Sequence, residues 1–145
     1  MKIHIDETPG LDETEIVIRC AHTDEQILKM LALLRTFDHK LTGLRDGRTF
    51  ILDAGDILYA DTVDKRVFLY TADGVYETPL RLYELEERLA GCGFFRAGKS
   101  LILNFHHIRS LCPEFGGRMQ ATMSNGESAY ISRQYVSFIH EKLGI

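Results

Sequence analysis

Phe94-Phe95-Arg96-Ala97-Gly98-Lys99-Ser100-Leu101-Ile102-Leu103-Asn104-Phe105-His106-His107-Ile108 is the stretch around which the rest of the chain is read. A short polar patch, Arg96, Lys99 and Ser100, interrupts apolar residues and runs directly into Leu101-Ile102-Leu103, whose composition suits a strand. Asn104 follows, then a turn carrying two histidines, then Ile108. Gly98 lets the backbone approach a ligand closely or take a positive φ. Arg, Lys, Ser and Asn are the side chains that contact phosphates and base edges. The stretch reads either as a rigid strand with a donor-rich edge or as a basic turn entering a core strand. The residues alone leave both readings open.

Around it, 145 residues allow one domain, or one domain with a small extension, and a 45% hydrophobic content suffices for an ordinary core. No apolar run approaches the ~18 residues of a membrane span, so no membrane insertion is expected. Met1-Lys2-Ile3-His4-Ile5-Asp6 lacks the apolar core of a signal peptide. Cys20, Cys92 and Cys112 are odd in number and widely scattered, which fits neither a disulfide framework nor a CxxC metal pattern. A reduced, cytoplasmic protein is the expectation. The net charge of −4 is unevenly spread. Residues 1–95 hold 11 Lys and Arg against 18 Asp and Glu, whereas residues 96–145 hold 6 against 3. Affinity for nucleic acid depends on the charge of the contact face, not of the whole chain. An acidic front half also leaves room for a partner of another kind.

In chain order, Lys2–Asp6 and Glu15–Cys20 read as short strands on either side of a Pro9-Gly10 turn. Thr23 is a candidate helix cap, with Asp24 and Glu25 in the first turn. Ile27, Leu28, Leu31 and Leu34 then recur at helical spacing, and Met30, Leu33 and Phe37 widen the apolar stripe. A stripe this wide must be covered, either by the chain's own core or by another subunit. Asp46-Gly47, Asp73-Gly74 and Asn125-Gly126 mark tight turns between strand-like runs, and Thr62–Arg66 is a polar turn. Leu80–Leu89 predicts a helix with Leu82, Leu85 and Leu89 on one side, ended by Gly91 and Gly93. After the central stretch come Arg109–Cys112, Arg118–Met123 and Ser128–Ile131 as strands. Ser132 is the expected cap of a last helix over Arg133–Leu143, with Val136, Ile139 and Leu143 inward.

Nothing here points to catalysis. His106 and His107 are adjacent, so on a strand they would face opposite sides and could not share a metal. No HExxH, P-loop or GxSxG occurs, and Cys112 has no visible third group near the histidines. No catalytic residue, metal site or cofactor is expected.

An ordered set of short pieces resembles the LytTR family of bacterial DNA-binding domains. The pieces are Ile57-Leu58-Tyr59-Ala60-Asp61, Leu85-Glu86-Glu87-Arg88-Leu89 before Phe94-Phe95-Arg96, then Ser100, Leu103-Asn104 and Ile108. Asn125-Gly126-Glu127 and Ile131-Ser132-Arg133-Gln134-Tyr135-Val136 complete the set, over about residues 45 to 143. No single piece is specific; their order is. The resemblance implies a mostly β, α+β fold: a LytTR-like domain of short antiparallel strands with small helices over 45–145. It would follow a small ββα-type extension over 1–44. It also implies a regulator that binds duplex DNA by loops inserted in the major groove.

Three loops carry the polar donors, and family positions in these places contact DNA. Carried over, the candidates are Lys65 or Arg66 in the first loop, Lys99 and Ser100 in the second, and Arg133 with Gln134 at the last helix start. Arg96 belongs to the same donor set, although it could pair with Glu86 or Glu87 instead. Asn104 matches a family position but is better suited to satisfying backbone groups at a bend. The chain departs from the family at Gly98, Lys99 and Gln134, which bears on base preference and not on class. The expected partners are double-stranded DNA, a second copy of the chain and a signalling partner of unstated identity. Too few residues precede the LytTR-like part to hold a receiver domain. The competing reading is a module that binds a partner protein and not DNA.

Overall fold

The computed structural model describes residues 1–143, so the last two residues of the expected 45–145 domain lie outside the described part. A helix α1 (Glu25–Thr36) precedes five strands: β1 (Lys40–Arg45), β2 (Arg48–Asp53), β3 (Ile57–Val63), β4 (Arg66–Thr71) and β5 (Gly74–Thr78). Helix α2 (Leu82–Arg88) leads to β6 (Phe94–Gly98) and β7 (Leu101–Asn104). The last elements are β8 (Ile108–Pro113), β9 (Met119–Met123), β10 (Ser128–Ile131) and α3 (Arg133–Leu143). Seven strands form one sheet in the order β2-β1-β5-β4-β3-β7-β6, and three form a second, β10-β9-β8. All pairings are antiparallel. The mostly β, α+β architecture expected from the sequence is the one observed.

Turn chemistry sets the hairpins. Asp46 and Gly47 both have positive φ, 52° and 74°, the conformation that matches the twist of a two-residue hairpin. Asp64 and Lys65 do the same at 51° and 65° without a glycine. This is a rarer choice for L-residues, and Asp is among those that tolerate it best. Helix α1 begins one residue later than Thr23 would place it. Asp24 is the cap, accepting the Ile27 N–H at 3.0 Å, so its carboxylate meets the positive end of the helix.

The strands expected over Lys2–Asp6 and Glu15–Cys20 do not form. Ile3, Ile5, Ile16 and Val17 are exposed. β-Branched composition favours a pleated, half-buried surface, but it supplies no neighbouring strand. With no sheet edge beside them, two isolated segments gain too little to leave water. The extension before β1 therefore contributes one helix and not a ββα unit.

Two cores share the seven-stranded sheet. One face packs Ile57, Ala60, Leu69 and Ile102 against Leu82 and Leu85 of α2 and Leu89 at its C-terminal cap. The other brings Leu58, Phe95, Ala97 and Leu103 against Met119, Met123, Ile131 and Ile139, from the second sheet and α3. β3 serves both by the alternation of its side chains, as β7 does with Ile102 and Leu103, and a bulge in β3 offsets that alternation: Ile57 opposes Thr71, yet Tyr59 opposes Tyr70. The extra residue shifts the alternation by one, which returns Ala60 to the first core.

The chain passes from one sheet to the other at Asn104. This side chain is fully buried and its amide donates to the Ile57 carbonyl at 2.9 Å. Its oxygen accepts the His106 N–H at 3.0 Å, starting the 3-10 turn Phe105–His107. The expected role at a bend is thus the observed one. His107 continues the link: Nε2 lies 2.7 Å from the Gly55 carbonyl oxygen and Nδ1 lies 3.1 Å from Ser124 Oγ. Asn104→Ala strands a buried carbonyl, at about 1–3 kcal/mol, together with a partly buried N–H that costs less. The expected outcome is a loss of about 2–4 kcal/mol in urea unfolding with an unchanged slope.

Candidate nucleic-acid interface

Lys99 and Ser100 form the turn of the β6–β7 hairpin, and both are exposed. Arg96, on β6, holds this turn from beneath. Its Nη1 donates to the Lys99 carbonyl at 2.8 Å and to the Gly98 carbonyl at 3.5 Å. Its Nε donates to Glu86 Oε1 at 3.3 Å. Of the two acids offered by the sequence, Glu86 is the partner. The Arg96 side chain retains only 20% of its exposure, so its guanidinium is engaged inside the protein while Lys99 points its charge to water.

The β3–β4 turn stands beside it. The Thr62 N–H donates to the Ser100 carbonyl at 2.9 Å, two residues before Asp64. Lys65 sits at the tip, exposed, and makes no ion pair with a described residue. Arg66 behaves differently. Its Nε and Nη2 grip Glu77 in a bidentate pair at 2.7 and 2.8 Å, and its guanidinium lies 5.5 Å from the Phe68 ring centre. The hydrogen bond from Arg66 holds the Glu77 carboxyl below its ordinary range. Behind this turn the Tyr70 hydroxyl donates to both Asp61 oxygens at 3.0 Å, and the Tyr59 and Tyr70 rings stack 4.5 Å apart. Burial, with the Asp61 carboxylate beside it, pushes the Tyr70 hydroxyl up to about 12, so it keeps its proton as donor. Burial also raises Asp61.

The start of α3 reaches the same end through a second bulge. On β6, Arg96 opposes Ile102 and Gly98 opposes Leu101, which leaves Ala97 out of the ladder. The freed Ala97 carbonyl accepts the Ser132 N–H at 2.8 Å. Ser132 does not cap α3 through its side chain as expected: its Oγ is buried and has no hydrogen-bond partner among the described residues. The residue is fixed by its backbone, with the Tyr135 N–H closing on the Ser132 carbonyl at 2.9 Å. Arg133 and Gln134 follow, both exposed on the first turn of the helix.

A fourth loop joins them. Pro113, Met119 and Ile131 are in register across the second sheet, so the β8–β9 connection lies at the end where α3 begins. It contains the 3-10 turn Phe115–Gly117, then Arg118, whose guanidinium sits 5.5 Å from the Tyr130 ring centre. Phe115 carries no signal in the sequence, because an aromatic beside two glycines has no periodicity to reveal its exposure. From β4 across to β9, one end of the molecule thus carries Lys65, Arg66, Lys99, Ser100, Arg118, Arg133 and Gln134.

Among the described residues no group of three His, Cys, Asp or Glu is placed to hold a metal ion. The two histidines lie in a 3-10 turn and not on a strand. No described helix is long and apolar enough to cross a membrane. Cys92 is buried, which raises its thiol, while Cys20 and Cys112 are exposed.

Comparison with known proteins places this geometry. The profile of the LytTr DNA-binding domain matches residues 47–144. A protein called an uncharacterized HTH-type transcriptional regulator in Staphylococcus aureus strain NCTC 8325 / PS 47 is 28% identical over 100% of this chain and 99% of its own length. Its counterpart in strain MRSA252 is 27% identical with the same coverage. A solved LytTr DNA-binding domain from Bacillus cereus superposes with a TM-score of 0.69, covering 73% of this chain and 97% of that one at 24% identity. In this chain strands separate each described helix from the next, so no two of them form a helix-turn-helix. The profile match spans the seven-stranded sheet from β2 onward, the second sheet and α3, and on that ground the chain belongs to the LytTR family of DNA-binding domains.

Proposed function

We propose that this protein is a cytoplasmic, sequence-specific transcriptional regulator that inserts loops into the major groove of duplex DNA, as a dimer. The observation that carries the reading is the alignment of three donor-bearing loops at one end by two backbone hydrogen bonds, Thr62 N–H to Ser100 and Ser132 N–H to Ala97. Membership of a DNA-binding family and the regulator names of the Staphylococcus aureus relatives support it.

The roles divide by how each side chain is held. Lys99, on a clamped turn, reads base edges, and Ser100 beside it donates or accepts at the same place. Arg133 at the helix start holds a phosphate, aided by the positive end of α3, with Gln134 next to it. Lys65 is the freer cation of the first loop. Arg66 shares its charge with Glu77, and Arg96 acts through the turn it clamps, as a positioning residue.

The dimer rests on α1. Ile27, Met30, Leu31 and Leu34 are partly buried, but Leu33 and Phe37, one helical turn apart, are 46% and 74% exposed. An exposed apolar pair beside a covered stripe suits a second copy of the chain.

Selection from a random-sequence duplex pool is expected to enrich one motif, and a pool that stays unenriched removes the reading. Affinity for the enriched duplex should fall steeply with salt, by a log–log slope of about −0.9 per phosphate contact. Lys99→Ala should narrow the gap between enriched and scrambled duplexes, at about 1–3 kcal/mol for one lost base contact. Arg133→Ala should weaken both duplexes together, and Arg19→Ala neither. Ultracentrifugation at micromolar protein should give a dimer that Leu33→Ser with Phe37→Ser dissociates. A wild-type chain that sediments only as a monomer refutes the dimer.

A further inference from the structure

We propose that Phe115 is an additional DNA contact, an apolar ring that packs on base edges in the groove beside the phosphate held by Arg133. The proposal rests on the reading that the protein binds duplex DNA. Phe115 is 94% exposed, so its whole ring stands in solvent at this end of the molecule. Its loop is not loose. The Glu114 N–H donates to the Arg118 carbonyl at 2.8 Å and closes the base of the turn. Gly116 and Gly117 both have φ near 81°, a conformation that a side chain would strain. A Cβ on Gly117 would also lie 2.9 Å from Arg133 Cδ and 3.0 Å from Cγ. The bare glycine is what lets the Arg133 stem lie across the loop. Phe115 and Arg133 are therefore carried on one packed unit at the end of the molecule that holds Lys99 and Lys65.

The charges around the ring select the kind of partner. Arg118 follows the two glycines in sequence and stacks on Tyr130, and the Arg133 stem lies against Gly117, so the loop that carries the apolar ring also carries or touches two cations. Duplex DNA presents the complement, two rows of phosphates bordering a groove in which the thymine methyl is the apolar group. A ring in that place adds affinity without neutralising a phosphate. Its contribution is consequently independent of salt, whereas that of Arg118 is not.

The chain has no tryptophan, so Phe115→Trp installs a single reporter at a position whose exposure leaves the fold undisturbed. The probe is the duplex that the wild-type chain enriches from a random pool. Its addition is expected to quench and shift the indole emission of the Phe115→Trp variant. Phe115→Ser is expected to weaken binding about tenfold with the salt slope unchanged, and to lose a preference for thymine at one position. Arg118→Ala is expected to make the slope shallower by about one contact. If the duplex binds while the emission stays flat and Phe115→Ser binds like wild type, the Phe115 contact is wrong and DNA binding stands. If Phe115→Ser instead alters the sedimentation of the free protein, the ring belongs to a contact between copies and the proposal falls. If the wild-type chain enriches no duplex, the functional reading fails and this contact fails with it.

Discussion

The two sheets hang together on one buried amide. Asn104 sits where β7 leaves the seven-stranded sheet, and its side chain does for the Ile57 carbonyl and the His106 N–H what a neighbouring strand would otherwise do. An apolar residue there would leave the buried carbonyl and the partly buried N–H without partners, a cost comparable to a sizeable part of a small domain's stability. Asparagine has a donor and an acceptor on one short planar group, which is what a carbonyl and an N–H at a single corner require. His107 extends the seam by reaching the Gly55 carbonyl, so the 3-10 turns before β3 and before β8 are fastened to each other. With that corner fixed, the second sheet and α3 cover the face of β6, β7 and β3 that α2 leaves free.

The candidate interface is a by-product of two irregularities in the first sheet. The bulge at Leu58 returns Ala60 to the same core as Ile57, and the bulge at Ala97 frees a carbonyl for the start of α3. A regular ladder would have used that carbonyl within the sheet and left α3 without its anchor. The positions of Lys99 and Arg133 relative to each other thus follow from an unpaired residue between them, on a strand that is otherwise core. The same end of the molecule sorts its cations by their partners. Arg66 and Arg96 are occupied by Glu77 and Glu86, and Arg96 also holds the turn carbonyls of Gly98 and Lys99. Lys65 and Lys99 remain in water. In a chain of net charge −4, two of the acids in residues 1–95, Glu77 and Glu86, are paired with the arginines that have structural work at this end.

Turns, caps and apolar periodicity are local properties, and they were legible. Asp46-Gly47 and Asn125-Gly126 lie in turns that join two strands, whereas the Asp73-Gly74 signal falls one residue late, because Ala72 and Asp73 make the turn and Gly74 already pairs with Thr71 in β5; Leu82, Leu85 and Leu89 face the core as their spacing implies. Asn104 could be assigned to a bend because a polar residue ending an apolar run has few other uses. Where the sequence misled, the missing information was a neighbour. Lys2–Asp6 and Glu15–Cys20 have strand composition but no edge to join. Ser132 has the chemistry of a cap, yet with its backbone held by Ala97 its hydroxyl is buried with no hydrogen-bond partner among the described residues.

Fold class, family and most element boundaries are written in the chain itself, since they depend on alternation, turn residues and motif order within short windows. The loops that carry donors can be named from it as well. Which donors are free is another matter, settled by folding. Arg66 and Glu77 are brought together by strand pairing, and Arg96 and Glu86 by the packing of α2 beside β6. Folding likewise joined Phe115 to Arg133, through a glycine that gains its meaning from a side chain sixteen residues away. Charge and periodicity run along the chain. The pairing of charges and the exposure of a ring are properties of distance in space, and distance is fixed by bulges, registers and buried polar groups that a linear reading does not measure.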